Sequence, residues 1–436
     1  MRHIVRISGR FDRLWLIMAG VILMPVLLQA TPSPGNGVKL GAFRLSPFAD
    51  FALGYDSNVR LAQGEVLPLQ PDGSYQVQDA TEKHDFFSEY TIGLGVNRSL
   101  ESEWDLRLRA WYEARRYVEE TDSDYDSETA EISTRYWPAS DKYMLLAGGK
   151  YRAAEDVERV PVSSVLTMPG EAPLPYLEEQ YDQLKRQTLD GFVNLQFRVQ
   201  DRTDLSVGGT ASMVDYDDPR FFDYSHWDLN GEVSYLFSEK TSFFGNMQYY
   251  LAEGDGLSKK VPVYGWMLGF KTRPLERLDY RIGLGVKTYE HATDSEATQW
   301  KRKWDVNFDG LLNWHYTERM SVFGKAWTTV TPTVTEAEDT RRTYAGQLGV
   351  NYYLVRRVSV VGAVSYRLDE YDFPIVYGNN LTQEKTAIWE YTGRVTVTPE
   401  VNTFWKAFGE VSYEQGDNDL DTYDQWMIRV GASLWY

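Results

Sequence analysis

The stretch that most constrains the fold is the final eleven residues. Trp426, Ile428, Val430, Ala432, Leu434 and Tyr436 alternate with Met427, Arg429, Gly431, Ser433 and Trp435. Successive side chains of an extended strand point to opposite faces, so this segment has one apolar face and one mostly polar face. A strand between lipid and water reads this way. A half-buried strand of a soluble sheet does too, and repetition separates the two. The same period of two recurs upstream about eighteen times, which favours an all-β, single antiparallel transmembrane barrel.

The first strand carries Phe43, Leu45, Ala49, Phe51, Leu53 and Tyr55 on one face and Arg44, Ser46 and Asp50 on the other. The second sets Tyr90, Ile92, Leu94 and Val96 against Glu89, Thr91, Gly93 and Gly95, and the third sets Trp104, Leu106, Leu108, Ala110 and Tyr112 against Asp105, Arg107, Arg109, Trp111 and Glu113. Fifteen more centre near residues 132, 147, 194, 209, 232, 247, 267, 283, 308, 324, 348, 363, 392, 408 and 431. The fourth and the thirteenth alternate least cleanly. Links between strands sort into two kinds. Every second one is short, as at Arg98–Ser102, Gln200–Thr203, Ser238–Thr241 and Val355–Arg357, and the others are longer and acidic, as at Ser57–His84, Ala154–Gln183 and Asp369–Glu384. Short periplasmic turns and long outer loops produce this alternation. An even number of strands also returns the chain to its starting side, so the first and last can pair and leave no open edge in lipid.

Residues 1–30 read as a secretory signal peptide, with Arg2, Arg6, Arg10 and Arg13 ahead of an apolar core from Leu14 to Leu28. A retained anchor helix is the rival reading. Residues 31–40 read as a flexible periplasmic lead-in and 41–436 as the barrel. Beyond the N-terminus no apolar run reaches the length of a helical span. The 30 Tyr and 14 Trp suit interfacial girdles. With no cysteine there is no disulfide, thiol catalysis or lipidated cysteine. The net charge of −18 argues against nucleic acid as a partner. The five histidines show no zinc-like spacing, no nucleophile is set beside a base, and nothing calls for a cofactor, so an enzyme is not the expectation.

The polar faces carry the functional candidates. Arg107, Arg109, Arg115, Arg135, Lys150, Arg152, Arg186 and Arg198 form an inward basic strip, interspersed with Asp105, Glu113, Glu131 and Asp190. The strip can attract an anionic solute or polymer, or it can brace the wall. Trp111, Phe192, Phe244, Tyr250, Phe323, Trp327, Tyr353, Phe404, Phe408 and Trp435 also fall inward, as a track for sugar rings or as packing. The long link Ala154–Gln183 holds Val160, Pro161, Leu166, Met168, Pro173 and Tyr176, an apolar set that predicts a loop folded into the lumen as a constriction, or else an outer lid. Acidic runs such as Glu119–Asp124 and Asp417–Asp421 fit solvated loops, or divalent-cation bridges to lipopolysaccharide.

Two stretches resemble known barrels. The segment Leu45–Val59, through Tyr55-Asp56-Ser57-Asn58, resembles the opening of the beta-barrel porin-2 type of outer-membrane barrel, many of which accompany exopolysaccharide secretion. Read by itself, Asp56-Ser57-Asn58 is a strand end entering an Asx-type turn. The final strand, with Trp426, Ile428, Val430, Leu434 and Tyr436 on its apolar face, is similar to the insertion signal of Gram-negative outer-membrane barrels. The resemblance implies recognition by the barrel assembly machinery, a bacterial outer-membrane location, and contact with membrane lipid and lipopolysaccharide. It also implies transport: polysaccharide export, with a separate periplasmic export partner. Uptake of small solutes as a diffusion porin, or a non-conducting surface adhesin or scaffold, are the alternatives.

Overall fold

A computed structural model describes residues 37–59, 65–66, 77–78, 83–99, 103–138, 142–166, 174–217, 223–254, 261–292, 300–332, 340–355, 357–377, 381–397, 405–418 and 422–435. Eighteen long strands form the wall: β1 (Phe43–Asp56), β2 (Asp85–Ser99), β3 (Trp104–Tyr117), β4 (Tyr125–Tyr136), β5 (Tyr143–Leu166) and β6 (Leu174–Gln200). They continue as β7 (Thr203–Tyr216), β8 (Tyr224–Ser238), β9 (Thr241–Gly254), β10 (Val261–Leu275), β11 (Leu278–Ala292) and β12 (Trp300–Trp314). The last six are β13 (Met320–Pro332), β14 (Thr340–Val355), β15 (Val358–Tyr377), β16 (Leu381–Val397), β17 (Trp405–Asn418) and β18 (Thr422–Trp435). Each pairs antiparallel with its sequence neighbours, and β18 pairs with β1 from Phe48↔Trp435 to Asp56↔Met427. The sheet is closed, so the expected strand count and topology hold.

The alternation sorts as membrane physics requires. Phe51, Leu53, Ile92, Leu229, Met247, Leu268, Leu284, Leu348 and Val430 are all about half exposed or more on the outer face, at depths where only lipid can cover them. Trp426, Ile428 and Leu434 share that face on β18, while Tyr436 lies outside the described residues. The opposite face encloses a polar lumen. The chain is a transmembrane β-barrel of the outer-membrane type, with short turns at one end and long connections at the other.

Three connections differ from the sequence reading. The link Ala154–Gln183 is not a structureless loop: β5 and β6 continue as an antiparallel ladder out to Leu166↔Leu174. Val160, Pro161, Leu166 and Tyr176 therefore lie on strands, and Met168 and Pro173 fall outside the described residues. The Val-rich composition that looked like a burial signal is also what β-structure favours. Likewise Asp369–Glu384 is mostly the extended β15–β16 hairpin, closing at Tyr377↔Leu381. Third, residues 38–40, expected in a flexible lead-in, turn back at Gly41 and pair with β1 from Val38↔Leu45 to Leu40↔Phe43. Gly41, at φ +62°, takes a left-handed conformation that a side chain would strain. Residues 1–36, with the expected signal peptide, lie outside the described residues.

Candidate functional site: the lumen and its closing seam

Closure of the sheet brings Tyr55-Asp56-Ser57-Asn58 against the start of β18. The Asx turn forms as read, with the Asn58 amide donating to Asp56 Oδ1 at 3.0 Å. Asp56 and Asn58 are each only 1% exposed, so the carboxylate needs further donors. Gln425 Nε2 supplies one at 2.8 Å and the Tyr117 hydroxyl another at 3.2 Å. Asn58 Nδ2 donates to the Asp424 carbonyl, and Ser57 and Trp426 exchange hydrogen bonds. Val59, Phe87 and Tyr117 make a small core beneath. This knot ties β1, β3 and β18 together at the long-loop end. Its local turn was legible in the sequence. The partnership with Gln425 was not.

Deeper in the lumen, an ion-pair ladder crosses the same seam. Arg115 meets Glu89 at 2.7 Å, and Glu89 reaches past Ala52 and Gly54 of β1 to Arg429 at 3.2 Å. Arg429 pairs with Glu410, which meets Arg394 at 3.4 Å. Small residues on β1 let the two neighbouring strands join hands over it.

By strand register the eight basic-strip residues all lie on the inner face, and most have partners. Arg107 holds Asp105 at 2.8 Å, Arg135 approaches the same carboxylate at 3.7 Å, and Arg198 lies 3.5 Å from Asp204. Arg109 stacks over Phe48 and Trp111, Arg152 donates to Ser127, and Lys150 sits in register between Glu131 and Asp190. Arg186 lies opposite Tyr216, at the long-loop end.

The inward aromatic residues have a packing logic that the sequence did not announce. A Cβ added to the glycine facing each ring would collide with it: Phe87 covers Gly54, Phe48 covers Gly93, Phe192 covers Gly148, Phe323 covers Gly349, and Phe408 covers Gly431. Rings laid on facing glycines fill the space that those residues leave on the wall. Phe244, 3% exposed, lies beneath Arg281 at 4.1 Å and Lys271 at 5.4 Å. Trp327 sits beside Lys325 and Trp435 beside Lys406. Tyr250 packs against Val263, Tyr289 and Val330, while Tyr353 is 43% exposed on the inward register near the turn end. Phe404 lies outside the described residues.

A recess of about 890 Å³ occupies the short-turn half of the lumen. Five cations line it (Arg135, Lys142, Arg198, Lys271 and Arg281) against two carboxylates, Asp204 and Glu232. Glu232 holds Lys271 at 2.5 Å and Arg281 at 2.9 Å. Asn230 and Asn246 face the same space, and Asn246 Oδ1, in a residue 8% exposed, has no hydrogen-bond partner among the described residues. Lys271 and Arg281 were missed in the sequence because they lie on β10 and β11, far from the first basic run, and Lys142 because it sits in the link ahead of β5 rather than on a strand.

No family model matches the chain, and no curated protein does. Among solved structures it is similar to the Pseudomonas aeruginosa barrel OccK2 (OpdF) in complex with glucuronate, at 11% identity and TM-score 0.46, covering 91% of this chain and 98% of that one. It is also similar to the outer-membrane channel DcaP of Acinetobacter baumannii (12% identity, TM-score 0.40, 92% and 100% coverage). A third is the FrpB iron transporter of Neisseria meningitidis (9%, 0.46, 94% and 83%). The barrel assignment rests on the chain's own closed ladder and its apolar outer face.

Proposed function

We propose that this barrel is an outer-membrane channel for an anionic saccharide, with export of an exopolysaccharide as the leading reading. One observation carries it: the recess in the lumen sets five cations against two carboxylates and adds the amides of Asn230 and Asn246. Cations in a water-filled passage with low-dielectric walls concentrate anions. Amides suit sugar hydroxyls, and an Asn246 oxygen without a partner among the described residues favours a polar ligand over an apolar one. Exposed inward rings such as Phe192 and Tyr353 give sugar faces somewhere to stack. In this reading a separate periplasmic partner delivers the polymer.

The second reading is a diffusion porin for small anionic solutes. The recess supports it as well as it supports export, because its volume suits a single small ligand as well as a polymer segment. Conductance in planar bilayers tests both. A uronate-containing oligosaccharide should block the current in a concentration-dependent way, and a neutral dextran of equal length should not. The double variant Lys142→Glu/Lys271→Glu should lose the block and shift ion selectivity toward cations. Equal block by neutral and acidic oligomers, unchanged by the double variant, would sink the anionic reading. Loss of extracellular polymer on deletion, restored by the wild-type chain, separates export from uptake.

A further inference from the structure

Between β12 and β13 the wall is only partly zipped. Their ladder runs from Trp314↔Val322 to Asp309↔Trp327 and stops there. Both strands continue well past that point. β12 stays paired with β11 out to Ala292↔Trp300, and β13 stays paired with β14 out to Pro332↔Thr340. The outer half of this one seam therefore has two strand edges that do not meet.

The side chains show where β13 has gone. Leu348 of β14 is 58% exposed to the membrane side and lies opposite Gly324, so even-numbered positions of β13 belong to the outer face. The β13–β14 register has no shift, which assigns Val330 to that outer face too. Yet Val330 is 4% exposed and packs on Val263 and Tyr289, with Tyr250 beside them. Val263 lies on the lumen face of β10, opposite in parity to Trp266 and Leu268, which point outward at 38% and 75% exposure. The outer half of β13 has rolled inward, laying its membrane face on the inner face of β10 and β11.

Other contacts satisfy part of the opened edges. Thr328 Oγ1 accepts from the Phe308 amide at 3.0 Å and donates to the Val306 carbonyl at 2.9 Å, replacing one missing rung. Lys287, 7% exposed, donates to the Thr328 carbonyl, and the Tyr344 hydroxyl reaches past β13 to Asp305 at 3.1 Å. A zipped alternative is equally well specified. Extending the existing register sets Val330 opposite Val306 on the lipid face and Thr329 opposite Asn307 on the lumen face, as the alternation of both strands requires. An open edge at membrane depth is costly, which favours zipping; the Val330 cluster and the Thr328 latch favour rolling in. Two arrangements, each held by contacts of its own, are what a switch needs.

We propose that the outer half of the β12–β13 seam is a gate with two states. Rolled in, β13 narrows the lumen; zipped, it joins the wall and widens the passage. The proposal rests on the barrel being a water-filled channel. Because the chain has no cysteine, two engineered pairs report the states separately in the full-length protein inserted in vesicles. Asn307→Cys with Thr329→Cys can bridge only when zipped, and Val263→Cys with Val330→Cys only when rolled in.

A mild oxidant should bridge each pair in its own variant, read as cross-linked peptides by mass spectrometry. The zipped bridge should raise single-channel conductance above that of the rolled-in bridge, and reduction should abolish the difference. Thr328→Val, which keeps the shape and loses the latch, should increase bridging of the 307–329 pair. Complete bridging of one pair with none of the other, in variants whose unheated gel mobility shows a folded barrel, would mean a fixed wall and overturn the gate. Equal conductance of the two bridged forms would overturn it as well. A closed channel in every variant, with both bridges still forming, would instead count against conduction.

Discussion

At the scale of single residues, the closing seam depends on a buried carboxylate that accepts from three donors. Asp56 accepts from the Asn58 amide, Gln425 Nε2 and the Tyr117 hydroxyl, and it is 1% exposed. Replacing it with alanine takes the acceptor from two buried donors, the Tyr117 hydroxyl and the Asn58 amide, while Gln425 Nε2 keeps the Asn58 carbonyl at 3.3 Å. Each such orphan costs about 1–3 kcal/mol, so Asp56→Ala should lower barrel stability by roughly 2–4 kcal/mol. Asp56→Asn, which keeps the shape and one acceptor, should lose less. The check is the urea midpoint of refolded protein in lipid vesicles, followed by gel mobility without heating; a wild-type midpoint for Asp56→Ala would remove the clamp. The Asx turn was legible because it joins neighbours two apart in the chain. Its clamp was not, because Gln425 is 369 residues away and nothing local marks a glutamine as its partner. The same holds for rings resting on glycines: alternation puts Phe323 and Gly349 on inner faces but does not say that they meet.

At the scale of elements, alternation was a sufficient guide to where strands are and which way they face, because lipid penalises every exception. It was a poor guide to what happens beyond the membrane. There β5 and β6 run on as one ladder to Leu166↔Leu174, some ten residues further than neighbours such as β4 and β7. At about 3.4 Å per residue that is an arm of roughly 35 Å. Its strand β6 comes within 8 Å, Cα to Cα, of β15, which stands nine strands away on the opposite side of the barrel. For the two to meet, the arm and the extended β15–β16 hairpin must approach each other over the mouth. Exchanging residues 160–176 for a short Gly/Ser linker should therefore raise conductance and make cells more sensitive to large antibiotics. An inserted variant with unchanged conductance would leave the arm a surface feature only. β13 is the complementary case: its period of two places Val330 outward, and only tertiary contacts with Val263 and Tyr289 reveal the rolled-in edge.

At the scale of the whole molecule, the strands match a membrane in height and the connections orient it. Strands such as β1, β3 and β7 have 14 residues, which at about 40° of tilt span about 35 Å, enough for a hydrocarbon core and part of each interface. The two-residue links, bounded by Gln200 and Thr203, Ser238 and Thr241, and Leu275 and Leu278, then lie at one end. The acidic connections and the long β5–β6 arm lie at the other. A chain inserted from the periplasm keeps its small turns on the side of entry, so the arm should face outward. Single cysteines can test this because the native chain has none to interfere. Ser163→Cys, on the outer part of β5, should react with a membrane-impermeant maleimide on intact cells. Glu239→Cys, in the turn between β8 and β9, should react only after the outer membrane is permeabilised. Labelling at position 239 but not 163 in intact cells would invert the barrel, and the recess near the short turns would then open to the cell exterior rather than to the periplasm.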